Sequence, residues 1–191
     1  MESIQNSSEF MAGQLLVAMP GMEDPRFAQS VIYMCAHSPD GAMGLVVNKA
    51  LDDMTLPALL TQVGIDAKVA EPSTRVHFGG PVESGRGFIL HSVDYLQDST
   101  LVVDDDVALT ATVDILEAIA DGTGPRRTLL ALGYAGWAAG QLDGEIKANG
   151  WLQVAPDDAL LFDADIDSKW LRALRKLGVD PAMLSSVAGS A

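Results

Sequence analysis

The stretch Leu132-Gly133-Tyr134-Ala135-Gly136-Trp137-Ala138-Ala139-Gly140-Gln141-Leu142-Asp143-Gly144-Glu145-Ile146 decides how this chain is read. It continues the apolar run Arg127-Thr128-Leu129-Leu130-Ala131-Leu132 and reads as the end of a buried strand, a glycine-rich turn and then a helix. On that helix Gly136, Gly140 and Gly144 share one side, because residues four apart are neighbours. A helical glycine costs about 1 kcal/mol relative to alanine, so a thin face of this kind needs a compensating contact. Close packing on a sheet supplies one, and the approach of a ligand phosphate to the helix start supplies another. No Lys, Ser or Thr stands within Gly133–Gly140 to complete a phosphate loop. Trp137, Gln141, Glu145 and Asn149 repeat at the same interval. They form a ladder that drifts by about 40° per step. Such a face lines a cleft or meets a partner; alternatively Trp137 is core and the amides bond to nearby loops.

Outward from this segment the chain alternates short apolar runs with turns. Leu15–Met19 stops at Pro20-Gly21, and Val31–Ala36 and Gly44–Asn48 flank Ser38-Pro39-Asp40-Gly41, which predicts an antiparallel hairpin. Residues 55–63 have helical spacing with Pro57 in the first turn. Val76-His77-Phe78 and Gly87–His91 read as strands joined by Gly79-Gly80-Pro81 through Arg86; symmetric pairing about Ser84 brings His77 near His91. Thr100–Val103 is a strand closed by Asp104-Asp105-Asp106, a solvated turn without calcium-loop spacing. Residues 107–120 read as a helix stopped by Gly122, 151–154 and 160–162 as short strands, and 168–177 as an amphipathic helix with a further short one at Pro181. Mixed elements without strict alternation predict an α+β class, a single domain over 13–191 preceded by a loose segment at 1–12.

Composition limits the functions. With 26 acidic against 12 basic side chains, the net charge is −14, which opposes general binding to nucleic acid or anionic lipid. Lys169, Arg172, Arg175 and Lys176 read as a solvated helix face. No apolar run reaches membrane-span length and no secretory pattern opens the chain. The lone Cys35 forms no internal disulfide, so the expected setting is reduced and cytoplasmic. Cys35 precedes His37 by two residues in an apolar strand; a shared face would activate the thiol, whereas burial would leave it inert. The three histidines, His37, His77 and His91, have no diagnostic metal spacing. Arg86 suits a carboxylate or phosphate, or an ion pair with Glu83.

The opening segment, together with Gly79-Gly80-Pro81-Val82, Arg86–His91, Leu15–Pro20, Gly41–Asn48, Asn149, Trp151-Leu152 and Trp170, resembles the bacterial AlgH/YqgE family over roughly residues 13–178. The resemblance implies mixed, largely antiparallel sheets folded into a barrel-like body with flanking helices. It implies no known enzyme activity, cofactor or catalytic residue, and a regulatory role by family label only. Gly85 stands where the family often has Asp, and Ala111-Thr112 replace a helix start richer in Ser and Thr, so neither place is carried over as a site. The expected function is that of a non-enzymatic interaction or regulatory domain with a protein partner. Its candidate surface is Gly79, Gly80, Pro81, Arg86, His91, Tyr134, Trp137, Gln141, Glu145 and Asn149. The alternative is an enzyme or small-ligand binder that joins Arg86, His91 and Glu145 in one pocket.

Overall fold

Leu15, Leu16, Val17 and Ala18 expose no surface at all, the mark of a strand covered on both faces. They form β1 (Leu15–Ala18). In this computed structural model, which describes residues 11–66 and 74–183, the expected hairpin follows as β2 (Val31–Ser38) and β3 (Gly41–Val46). β4 (Ala50–Thr55) runs into α1 (Leu56–Gln62), whose first turn holds Pro57 and is capped by the Thr55 hydroxyl, 3.3 Å from the Ala58 amide. β5 (Arg75–Phe78), β6 (Val82–Ser92), β7 (Leu101–Val102) and β8 (Val107–Thr110) come next. α2 (Val113–Asp121) ends on left-handed Gly122. The chain closes with β9 (Thr128–Ala138), α3 (Gln141–Lys147), β10 (Trp151–Val154), α4 (Asp158–Phe162), a 3-10 turn at Ile166–Ser168, and α5 (Lys169–Lys176).

The strands among the described residues form one ten-stranded sheet in the order β10-β1-β2-β3-β9-β6-β8-β7, with β4 and β5 joined to it through parallel β5–β9 pairing. It curls into a half-barrel, the α+β architecture expected. Strand alternation sends side chains to two sides. Leu15, Tyr33, Leu45, Leu90 and Ala131 face one core, where Trp170, Ala173 and Leu174 of α5 fill the curl. On the other side Leu16, Ile32 and Trp137 pack with Leu142 of α3, while Ile89 and Leu130 pack with Leu60 of α1 and Ile115 of α2.

β9 holds the two halves together because it changes neighbours along its length. Its residues Ala131 and Leu132 lie beside β5; from Ala135 onward β3 takes that place. Gly79 joins the two regimes, donating its amide to the Leu132 carbonyl and accepting from the Val46 amide. Here backbones touch. A Cβ on Gly80 would stand 2.0 Å from the Tyr134 carbonyl carbon, and one on Gly133 (φ 77°) would stand 2.2 Å from the Gly80 oxygen.

Several expectations are corrected. The run Gly133–Ala138 is strand, so Gly136 and Gly144 do not share a helix face and Gly140 is the left-handed residue before α3. The four-step ladder therefore dissolves: Trp137 is in β9, only Gln141 and Glu145 are helical, and Asn149 (φ 62°) turns the chain after α3. β6 pairs with β9 and β8, not β5, so His77 faces Ala131 and His91 faces Thr128 across different edges of β9. Residues 107–110 are strand, although α2 and its Gly122 stop stand as expected. Residues 160–162 are helical. Met11 is buried and its amide donates to His37 Nδ1 at 2.9 Å, so residue 11 is anchored, while residues 1–10 of the expected loose segment lie outside the described residues. Lys169 is fully buried, not solvated.

Candidate functional site

α5 plugs one end of the half-barrel, and the other end opens as a cleft of about 700 Å³. Two irregularities build its rim. In β2 the register passes from Met34–Gly44 to Ala36–Met43, which leaves Cys35 as the extra residue of a bulge. The bulge shifts the alternation by one: Ala36 and Ser38 turn to the cleft, and His37 turns to α3, where its Nε2 lies 3.5 Å from Asp143. In β6 the partners jump from Val82–Tyr134 to Gly87–Leu132, so residues 83–86 loop out, with Glu83 at φ 47°. That loop sets Arg86 at the cleft edge.

The wall is aromatic and charged. Phe88 and Tyr134 meet edge to face with centroids 5.7 Å apart. Arg86 lies over the Phe88 ring at 5.1 Å and pairs with Glu83 at 3.5 Å, as the ion-pair reading expects. Both partners are about half exposed, so this pair contributes at most a few tenths of a kcal/mol and leaves the guanidinium free to turn to a partner. Met43, Leu101 and Leu109 complete the apolar lining, and Asp40 adds a second acid.

The structure divides the expected site residues. Arg86, Tyr134 and the exposed Gly136 face the cleft, and Trp137 borders it while its side chain packs on the other side of β9 with Leu142. Gly79 and Gly80 are buried; the close approach they permit is by β9, not by a ligand. Pro81 leads into β6 beside them. His91 is fully buried: its Nδ1–H donates to the Ser92 carbonyl, its Nε2 accepts from the Thr110 hydroxyl at 2.8 Å, and Thr110 accepts in turn from Thr100. This resembles a base with a hydroxyl nucleophile, but Thr110 is also fully buried. Burial lowers the His91 pKa and keeps the ring neutral. Gln141 accepts from the Ala138 amide at 3.0 Å, and Glu145 accepts from the Trp151 indole at 3.4 Å while its other oxygen is buried without a partner among the described residues. Asn149 is exposed. Among the described residues Arg86 thus lines the cleft without His91 or Glu145, and the joint-site arrangement is corrected: Arg86 and His91 alone stand five residues apart on β6, about 16 Å for extended chain.

Cys35 is buried and burial pushes its thiol up to about 12, the opposite of a reactive thiolate. Among the described residues no group of three or more His, Cys, Asp or Glu is placed to hold a metal, and no helix is long and apolar enough to cross a membrane. Met43, Phe88, Leu101 and Leu109 carry no sequence signal as cleft residues, since each reads as an ordinary strand apolar residue. Lys169 is the other residue hidden from sequence. Its ammonium donates to the Val47 and Leu161 carbonyls at 3.1 and 2.8 Å, and burial lowers its pKa to about 8.

Fold and cleft define a class: single-domain α+β half-barrels with one plugged and one open end. The chain belongs to the AlgH-like family, whose model matches residues 15–182. A UPF0301 protein of Rhodospirillum rubrum is 52% identical over 188 residues, covering 98% of each chain. One from Methylobacterium nodulans is 56% identical over 193 residues, covering 97% of this chain and 92% of its own. The solution structure of the AlgH protein from Pseudomonas aeruginosa is 38% identical, with a TM-score of 0.76 and 97% of both chains covered. A Corynebacterium diphtheriae protein, 21% identical over 92% of this chain and 91% of its own, shares the fold with a TM-score of 0.73.

Proposed function

We propose that this protein is a non-enzymatic recognition domain and that the open mouth of the half-barrel is its working surface. One observation carries the reading: Arg86, Phe88 and Tyr134 converge on an apolar mouth continuous with the main core. Mouths of curled sheets are frequent ligand sites, and aromatic and arginine side chains are the residue types that dominate binding energy; here Arg86 is about half exposed, Tyr134 is partly exposed and Phe88 is the buried floor beneath them. The expected surface on α3 loses weight, since Gln141 and Glu145 are engaged in local hydrogen bonds. The His91–Thr110 pair is sealed from solvent, which favours recognition over chemistry at His91.

Selection of a displayed random peptide library on the intact protein tests this. Selected peptides are expected to lose at least tenfold in affinity against Tyr134→Ala and Arg86→Ala, and to keep it against Lys147→Ala on the α3 face. Selection of binders indifferent to both mouth substitutions overturns the reading.

A further inference from the structure

The geometry points to an extended, basic and apolar peptide segment of a partner protein that adds as a strand to the free edge of β7 and places an apolar side chain in the mouth. This rests on the mouth being the recognition surface. Among the described residues β7 is the last strand of the sheet and pairs with β8 on one side only. Val103 donates to Val107, and Leu101 faces Leu109, so by antiparallel alternation Val102 directs its own N–H and C=O away from β8. An added strand bonds there.

Side chains fit the same occupant. Leu101 is 47% exposed and lines the mouth, whereas Val102, 53% exposed, faces the opposite side. A strand paired at Val102 therefore sends its flanking residues to the face of Leu101, at the rim of the mouth that Leu101 shares with Leu109, Phe88 and Val82. Val82 is itself exposed, so an apolar patch spans the edge and the mouth.

Charge selects the sign. Asp98, Asp105 and Asp106 flank β7 as exposed acids, Asp40 and Glu83 stand at the mouth, and the whole chain carries −14. Among the described residues that line the mouth Arg86 is the one cation, held over Phe88 and only weakly paired with Glu83, so the acids around it outnumber it. A basic segment gains attraction and faster association. A second copy of the chain would set its acidic flanks against the same acids, which disfavours edge-to-edge self-pairing.

The test is an amide NMR titration of the intact protein at low salt with acetyl-Lys-Leu-Val-Leu-Lys-amide. Two controls are the same peptide methylated on the nitrogen of its central Val, and the version with Glu in place of both Lys. The first peptide is expected to move the amides of Val102, Leu101 and Tyr134. Both controls, and Leu101→Glu with wild-type amide dispersion, are expected to weaken binding at least tenfold. If Tyr134 and Arg86 move but Val102 does not, or methylation has no effect, strand addition is overturned while mouth recognition stands. If none of the peptides moves any amide, strand addition is overturned, and the library selection decides separately whether the mouth recognises anything. A doubled mass without peptide that Leu101→Glu abolishes makes a second copy the occupant and overturns the basic-peptide assignment.

Discussion

His77 makes the acid side of the stability profile predictable. Its Nδ1–H donates to the Leu130 carbonyl at 3.1 Å, and burial is the largest influence on the ring, pushing its pKa from 6.5 down to about 4. The folded state therefore resists the proton that the unfolded chain takes up. Above pH 6.5 neither state is protonated and the stabilisation is complete; as the pH falls toward about 4 the unfolded chain binds the extra proton and the stabilisation is lost; below that both states are charged and the slope ends. The full displacement corresponds to about 3 kcal/mol, which solvent at the partly exposed side of the ring reduces to roughly 2 kcal/mol. His77→Gln keeps an amide donor for Leu130 and removes the titration. Urea unfolding followed by circular dichroism at pH 7.0, 5.5 and 4.5 compares the two proteins. Wild type is expected to lose about 2 kcal/mol more than the variant across that range. His91, also lowered by burial, acts in both and cancels. Parallel pH profiles for the two proteins would refute the reasoning.

Three further outcomes follow from the packing. Gly133→Ala sets a Cβ 2.2 Å from the Gly80 oxygen and is expected to cost more than about 4 kcal/mol or yield insoluble protein, whereas Gly140→Ala, equally left-handed (φ 75°) but with nothing within 4 Å, is expected to cost about 1 to 2 kcal/mol; thermal unfolding and soluble yield separate them. Lys169→Met leaves the Val47 and Leu161 carbonyls without their donor and is expected to cost about 2 to 4 kcal/mol in urea titrations. Because the folded Lys169 pKa is about 8 against 10.5, the unfolded chain binds the extra proton between those values, so wild type gains on the variant as pH rises from 8 to 10. Cys35 is expected to react with a thiol reagent at pH 7.5 only as fast as the protein opens, and rapidly in denaturant; immediate labelling of the folded protein contradicts its burial.

The strands were legible where apolar runs met turn residues: Leu15–Ala18, the hairpin over residues 31–46, and the strand from Thr128 all lie where the pattern places them. Period alone misleads at two places. Leu109, Val113 and Leu116 fit a helix, yet Val107–Thr110 are recruited as strand by β6 on one side and β7 on the other. The glycines at 136, 140 and 144 share a helical interval by position only; Gly136 pairs with Met43 in the sheet. The site was half legible. Arg86 and Tyr134 stand out by residue type, but the bulges that turn residues 36 and 38 to the mouth and His37 away depend on partner register, which a single strand does not encode. The same holds for Lys169, whose two carbonyl partners come from distant segments.

The central claim is that the mouth between β6, β9 and the β2–β3 turn recognises a partner. It is tested most directly by mapping amide shifts of the intact protein with the peptides the library selection yields. The account predicts shifts concentrated at residues 82–88, 101–102 and 134–137. Shifts confined to Gln141–Asn149 of the α3 segment, with the mouth unmoved, would contradict it.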